Sequence, residues 1–259
     1  MGQVNLPLLF IMPQLIILGS AAAIPDLLHA NAQFLVKLQD SATLVDCGDS
    51  TYLRLVKAGM SVDQVSDLIL THFHPDHAGG LPALLITLWL LKRRAPLVIH
   101  GLEDTLLRAE GVLELFQWEN WKNMYPVRFN RLPEQELVTV LETPEWKVSA
   151  SPVKHLIPTI GLRMELSHGY TAAYSCDTEP CAAVMRLGRE ADLLLHEVAG
   201  EARGHSSGTQ AGEIARQAEV KRLVLIHYPV AKGLKILQEV QAVFAGPVSL
   251  AEDGEIFEM

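Results

Sequence analysis

The chain is short of aromatic residues, of cysteine and of positive charge. Aromatics make up 6% of its 259 residues, so few flat side chains are available to stack on bases. Three cysteines, Cys47, Cys176 and Cys181, are too few and too scattered for a disulfide framework. They fit buried thiols in a reducing cytoplasm. Lys and Arg number 21 against 30 Asp and Glu, a formal net charge of −9. Affinity for nucleic acid rests largely on Lys and Arg against phosphate. The balance therefore speaks against a general polyanion binder and leaves room only for local basic patches. No Ser/Gly-rich linker, low-complexity tract or short repeat is visible.

An uninterrupted membrane-length apolar run is also missing. Residues 4–24 carry no charge, but Pro7, Pro13 and Gly19 break them and no basic segment precedes them. That excludes the pattern of a signal peptide or a membrane span. The expectation is a soluble, cytoplasmic chain with a buried strand at 14–18 and a turn at Gly19–Ser20. Met12 is a second candidate start, which would leave residues 1–11 as a loose extension.

What is present is ordinary globular usage, 49% apolar and 20% charged. Short β-branched or Leu-rich runs predict strands at 14–18, 33–38, 42–46, 67–71, 97–100, 127–131, 137–140, 147–151, 161–166, 171–174, 192–196, 222–226 and 248–250. Helices are predicted at 50–58, 77–91, 103–117, 181–187, 209–219 and 232–243. Paired strands followed by mixed strands and helices occur twice. This order suggests two sheets face to face with helices outside.

The chemistry concentrates in residues 70–80, Leu-Thr-His-Phe-His-Pro-Asp-His-Ala-Gly-Gly. Three imidazoles and a carboxylate, His72, His74, Asp76 and His77, sit between an apolar strand and a helix. His72 and His74 point to one side because strand side chains alternate. Pro75 keeps His74 extended and suits a first helical turn. Converging imidazoles repel one another when protonated, and a divalent metal removes that cost.

This motif resembles the metal motif of the metallo-β-lactamase superfamily, within it the ribonuclease Z-like branch. The likeness runs over nearly the whole chain. It takes in Leu18-Gly19-Ser20-Ala21, Val45-Asp46-Cys47-Gly48, Pro152-Val153-Lys154-His155 and Tyr174-Ser175-Cys176-Asp177-Thr178. It continues through Leu195-His196-Glu197-Val198, Gly204-His205-Ser206-Ser207 and Leu225-Ile226-His227-Tyr228. The resemblance implies one α/β domain over residues 1–259, a four-layer αββα sandwich of two mixed sheets. It implies two metal ions at one edge, the first on His72, His74 and His155, the second on Asp76, His77 and His227, with Asp177 bridging. Each distant ligand follows a predicted strand, where loops on a rigid sheet commonly present chemistry. Nitrogen and oxygen donors without cysteine suit zinc, and equally manganese or iron. Cys176 stands where the family usually has Gly and reads as a packed thiol.

The implied activity is hydrolysis by a metal-bound hydroxide, since two metals lower the pKa of water from 15.7 to about 7. Asp76 would help orient this nucleophile. In ribonuclease Z-like enzymes the residues matching Glu197 and His205 form a proton-transfer pair at the leaving oxygen. His196 reads as a supporting residue, and His29, His100 and His168 as plain polar groups.

Two departures count against transfer-RNA processing. The bacterial family's protruding arm lies between the residues matching His155 and Asp177. Here a hairpin, 161–166 with 171–174, fills that interval. The loop that carries basic residues in the family reads Pro25-Asp26-Leu27-Leu28-His29-Ala30-Asn31, without Lys or Arg. The reading is thus a phosphodiesterase for a small or nucleotide-like phosphodiester, with RNA disfavoured, no membrane partner and a homodimer left open. The alternatives are a carboxylic ester, lactone or β-lactam hydrolase, a tRNA 3′-end endonuclease without the arm, and a non-catalytic zinc- or RNA-binding module. Lys92-Arg93-Arg94 and Lys221-Arg222 read as solvated ends. Phe116, Trp118, Trp121 and Tyr125 read as core that could wall a pocket.

Overall fold

Strand pairing sorts the chain into two sheets. A computed structural model describes residues 12–39 and 41–259; the expected loose extension at 1–11 lies outside the described residues. In the first half, β1 (Gln14–Gly19), β2 (Gln33–Lys37) and β3 (Ala42–Val45) form an antiparallel meander. β4 (Val65–Ile69), β5 (Leu97–Leu102) and β6 (Val127–Leu132) then add in parallel beside β3. In the second half, β7 (Val138–Glu142), β8 (Trp146–Pro152), β9 (Ile160–Leu166) and β10 (Thr171–Tyr174) pair antiparallel. β11 (Leu193–Glu197), β12 (Leu223–Ile226) and β13 (Val248–Leu250) continue in parallel. The last strand, β14 (Ile256–Glu258), returns to the first sheet and pairs with β1. The result is two seven-stranded mixed sheets among the described residues.

The layers follow from the apolar pattern. Inner-face residues of both sheets, including Phe34, Val45, Ile69, Val148, Tyr174, Leu195 and Ile226, form one buried cluster between them. The opposite face of the first sheet packs with α1 (Thr51–Lys57), α3 (Leu81–Leu90) and α4 (Glu103–Leu115). The opposite face of the second packs with α5 (Ala182–Gly188), α6 (Gly208–Gln217) and α7 (Gly233–Gln241). The central strands are apolar on both faces because both faces are covered. This is the expected αββα sandwich. No helix of the described residues is long and apolar enough to cross a membrane.

Five local expectations are corrected. The predicted helix at 77–91 is two helices, α2 (Pro75–Ala78) and α3. They part at Gly79–Gly80, where a Cβ on Gly80 would lie 1.9 Å from the Gly48 carbonyl oxygen. β14 was not expected. Its Phe257 is the one buried residue of three, and the Arg222 guanidinium lies 4.8 Å from that ring. The helix expected to reach 117 stops at Leu115. Arg93, expected in a solvated run, is buried: its guanidinium donates to the carbonyls of Val62, Val65, Ala95 and Pro96. Tyr125, Trp118 and Trp121 pack into the outer layer of the first sheet, Trp121 stacking on Trp89 at 5.7 Å, while Phe116 is exposed.

Candidate metal centre

β8 runs parallel to β10, because each is antiparallel to β9. The carboxyl ends of β8, β10, β11 and β12 therefore share one edge. The ends of β3 and β4 meet them there. Each delivers a functional side chain: Asp46 after β3, His72 to His77 after β4, His155 after β8, Asp177 after β10, Glu197 closing β11, and His227 after β12. Several of these ends turn sharply. Asp46, Cys176 and His227 have φ of 64°, 51° and 52°. Left-handed backbone at non-glycine residues is a local strain that collects at functional sites.

Two groups of donor atoms result. In one, His74 Nδ1 lies 3.0 Å from His72 Nε2 and 3.2 Å from His155 Nε2. Asp177 Oδ2 lies 3.9 Å from the Nε2 atoms of both His72 and His155. In the other, Asp76 Oδ2 lies 3.3 Å from His227 Nε2 and 3.6 Å from His77 Nε2. Asp177 completes it, with Oδ1 3.5 Å from His77 Nε2 and Oδ2 3.5 Å from His227 Nε2. Tetrahedral ligands about 2.0–2.1 Å from zinc stand about 3.3 Å apart, so these separations match donors around a cation. His72, His74, His155 and Asp177 form one group able to hold a metal ion and Asp76, His77 and His227 another; His72, His77 and Cys176, and Asp177, His205 and His227, form two further groups of such donors.

The burial of these atoms makes the same point. His77 Nε2, Asp177 Oδ1 and His227 Nδ1 are buried and have no hydrogen-bond partner. An unpaired buried polar atom is costly, and a cation would satisfy the first two. Burial and neighbouring charges also set the protonation of these groups. Burial, and then the neighbouring His77, hold His72 well below the ordinary histidine range. Burial works against a charge on His77, but Asp177 and Asp46 outweigh it and hold that imidazole well above its range. Burial pushes the Asp177 carboxyl up, yet His227 and His77 more than reverse this. The residues present thus fit a divalent metal.

Partners behind the cluster fix its orientation. His77 Nδ1 donates to Asp46 Oδ2 at 2.8 Å, and His155 Nδ1 to the Gly204 carbonyl at 2.7 Å. His72 Nδ1 faces Thr71 Oγ1 at 3.1 Å and Cys176 Sγ at 3.6 Å. Cys176 therefore lies on the far side of His72, fully buried, with its thiol pushed up by burial.

Glu197 and His205 meet as the resemblance implies. His205 Nδ1 lies 3.2 Å from Glu197 Oε1 and 3.9 Å from Asp177 Oδ2. The His205 ring lies 5.0 Å from that of His155 and stacks on that of His227 at 5.8 Å. Glu197 also accepts from the backbone N–H groups of Thr178, Ala199 and Ser206. Burial nevertheless raises its carboxyl above the ordinary range, and the hydrogen bond to Glu197 raises His205. Beside His205 opens a cavity of about 290 Å³ lined also by Glu179, Arg203 and Gln210. His196 is buried on the same strand as Glu197, its Nδ1 donating to the Glu197 carbonyl.

Every residue expected at the site lies in this cluster. Sequence reasoning missed Asp46, Thr71 and Gly204 as its supports. All three stood inside the quoted motifs, where a carboxylate, a hydroxyl or a glycine was the available signal.

Together the fold and the cluster define a class, the metal-dependent hydrolases of the metallo-β-lactamase fold in its ribonuclease Z-like branch. Two solved structures share the fold. One is the metallo-β-lactamase fold protein YhfI from Bacillus subtilis, with a TM-score of 0.79 and 22% identity over 96% of this chain and 100% of that one. The other is human tRNase Z, short form, with a TM-score of 0.76 and 24% identity over 94% and 98%. A curated relative, ribonuclease Z of Mycobacterium sp. (strain KMS), is 32% identical over 93% of this chain and 94% of its own length. The chain belongs to the family described as Anti-Pycsar protein Apyc1, whose model matches residues 13–246.

Proposed function

We propose that the chain is a phosphodiesterase for a small phosphodiester, nucleotide-like or cyclic. His72, His74 and His155 would hold one divalent cation, Asp76, His77 and His227 a second, and Asp177 both. Zinc suits the donors, as do manganese and iron. Such a pair of cations, when bound, supplies a nucleophile from water at neutral pH and offsets charge on the phosphoryl oxygens. Asp76, less enclosed than His77 at the cluster's rim, orients the attacking water.

The observation that carries the diester reading is the Glu197–His205 pair. Glu197 accepts the Nδ1 proton and so sets the imidazole with Nε2 facing outward. As the P–O bond breaks, a proton on Nε2 passes to the departing alkoxide oxygen. In the ribonuclease Z-like enzymes that the chain resembles, the matching pair serves a phosphodiester. The small-substrate reading is supported by the chain's acidic balance, a formal net charge of −9, since affinity for a long polyanion rests on Lys and Arg. It is also supported by the direct β9–β10 hairpin, which leaves no arm between His155 and Asp177. A second reading, cleavage of RNA, is favoured by the ribonuclease Z relative.

The test is hydrolysis by zinc- or manganese-loaded protein of bis(p-nitrophenyl) phosphate beside nitrocefin and a lactone. Turnover of the diester supports the proposal. Turnover of only nitrocefin or the lactone sinks it.

A further inference from the structure

We propose that Glu179 is a positioning residue that ties three segments of the site together and so aims the metal-facing nitrogen of His155 and holds the loop of His205. This deepens the site reading above and rests on it.

Glu179 follows Asp177 by two residues. Its backbone N–H donates to the Lys154 carbonyl at 2.7 Å, while Thr178 Oγ1 accepts from the Lys154 N–H at 3.1 Å. The Asp177 segment is thereby stitched to the residue before His155. The Glu179 carboxylate then reaches a third segment. Oε1 accepts from the Gly204 N–H at 3.0 Å, and Oε2 pairs with Lys154 Nζ at 2.5 Å. Gly204 in turn accepts the His155 Nδ1 proton on its carbonyl at 2.7 Å. The glycine is gripped on both sides, by a carboxylate at its N–H and an imidazole at its C=O. Its φ is +84°, and a Cβ there would lie 2.9 Å from His155 Nδ1.

The chemical consequence falls on His155. With Nδ1–H committed to a carbonyl, the neutral ring presents Nε2 as a lone pair toward His74 and Asp177. Such outer hydrogen bonds set the tautomer and orientation of a metal-ligating histidine. The next residue in the loop is His205, so one grip serves both functions. The two halves of the carboxylate differ in weight. Lys154 is 64% exposed on its side chain, and an exposed ion pair contributes little. Gly204 is buried, so its N–H depends on this acceptor.

Zinc affinity of the metal-free chain, read by competition with a chromogenic chelator, needs no substrate. A wrong substrate class therefore leaves this test intact. Glu179→Ala is expected to weaken zinc binding about tenfold, as loss of partners behind ligating histidines does. On a diester with a poor leaving group its kcat should fall about tenfold with KM changed less than about threefold. Glu179→Gln keeps an oxygen for the Gly204 N–H and should recover most of both losses. Lys154→Met should hold zinc affinity within about twofold, an exposed pair being weak. Gly204→Ala probes the same link from the loop and should lose zinc affinity as Glu179→Ala does. An Ala variant at 179 that binds zinc within about twofold of the parent, or a Gln variant no better than Ala, overturns the proposal.

Discussion

Asp46 Oδ2 accepts the Nδ1 proton of His77 at 2.8 Å, and both side chains are fully buried. The other oxygen of Asp46 takes the Thr71 N–H at 2.9 Å and the Thr71 hydroxyl at 2.8 Å. One carboxylate thus braces the strand end that carries the motif and turns His77 Nε2 toward Asp76 and Asp177. A buried carboxylate with these partners is how a metal ligand is commonly given its tautomer.

Asp46→Ala should therefore weaken metal binding by about 10–100-fold, the range for loss of such partners. Metal content after dialysis against a chelator buffer reads this directly. A variant that holds its metals as tightly as the parent would show that His77 is aimed by something else.

The proton-donor role makes a second prediction. His205→Ala should lower turnover of a diester with a poor alkoxide leaving group by about 10²–10⁴-fold, the usual worth of general acid catalysis. A nitrophenolate leaving group needs little protonation, so its loss should be much smaller. Equal losses on both substrates would remove the acid role.

Much of this was legible in sequence because the motifs are local. Residues 72–77 read as a ligand cluster from spacing alone; His155, Asp177 and His227 came from the family resemblance, and stood at strand ends that apolar runs marked. Other features arise only from tertiary packing. The break at Gly79–Gly80 comes from the approach of the Gly48 carbonyl, which no helical period reveals. β14 offers three residues, of which only Phe257 is buried, too little alternation to read. Asp46 acquires its task because β3 and β4 pair in parallel with Val45 beside Ile69. Arg93 looked solvated because runs of like charge usually are; the carbonyls of Val62, before β4, and Val65, at its start, with those of Ala95 and Pro96, decide otherwise.

That correction is itself testable. Arg93→Met should destabilise the fold by about 2–4 kcal/mol, since it strands several buried carbonyls that a charged donor now satisfies. Urea denaturation measures it. A change below about 0.5 kcal/mol, typical of surface positions, would place Arg93 back among solvated charges.

His196 predicts a pH dependence. Burial pushes its imidazole from 6.5 down to about 4. The unfolded chain binds a proton there near 6.5, the folded chain only near 4. Between these values the unfolded state holds more protons, so stability falls as the pH falls. The loss begins near 6.5 and is complete below about 4, amounting to about 3 kcal/mol. His196→Gln removes this contribution. Relative to the parent, the variant should gain about that much between pH 7 and pH 4 in denaturation of the metal-free chain. Parallel stability curves for the two would contradict a neutral, buried His196.

A small phosphodiester and an RNA would part company at the metal cluster and its Glu197–His205 pair. The direct measurement is kcat/KM of the metal-loaded protein on cyclic nucleotides and on a tRNA precursor with a 3′ trailer, side by side at one salt concentration. A cyclic nucleotide should be hydrolysed with the higher kcat/KM, and His205→Ala should lose this activity. Efficient cleavage of the precursor with no hydrolysis of any cyclic nucleotide would contradict a small phosphodiester as substrate.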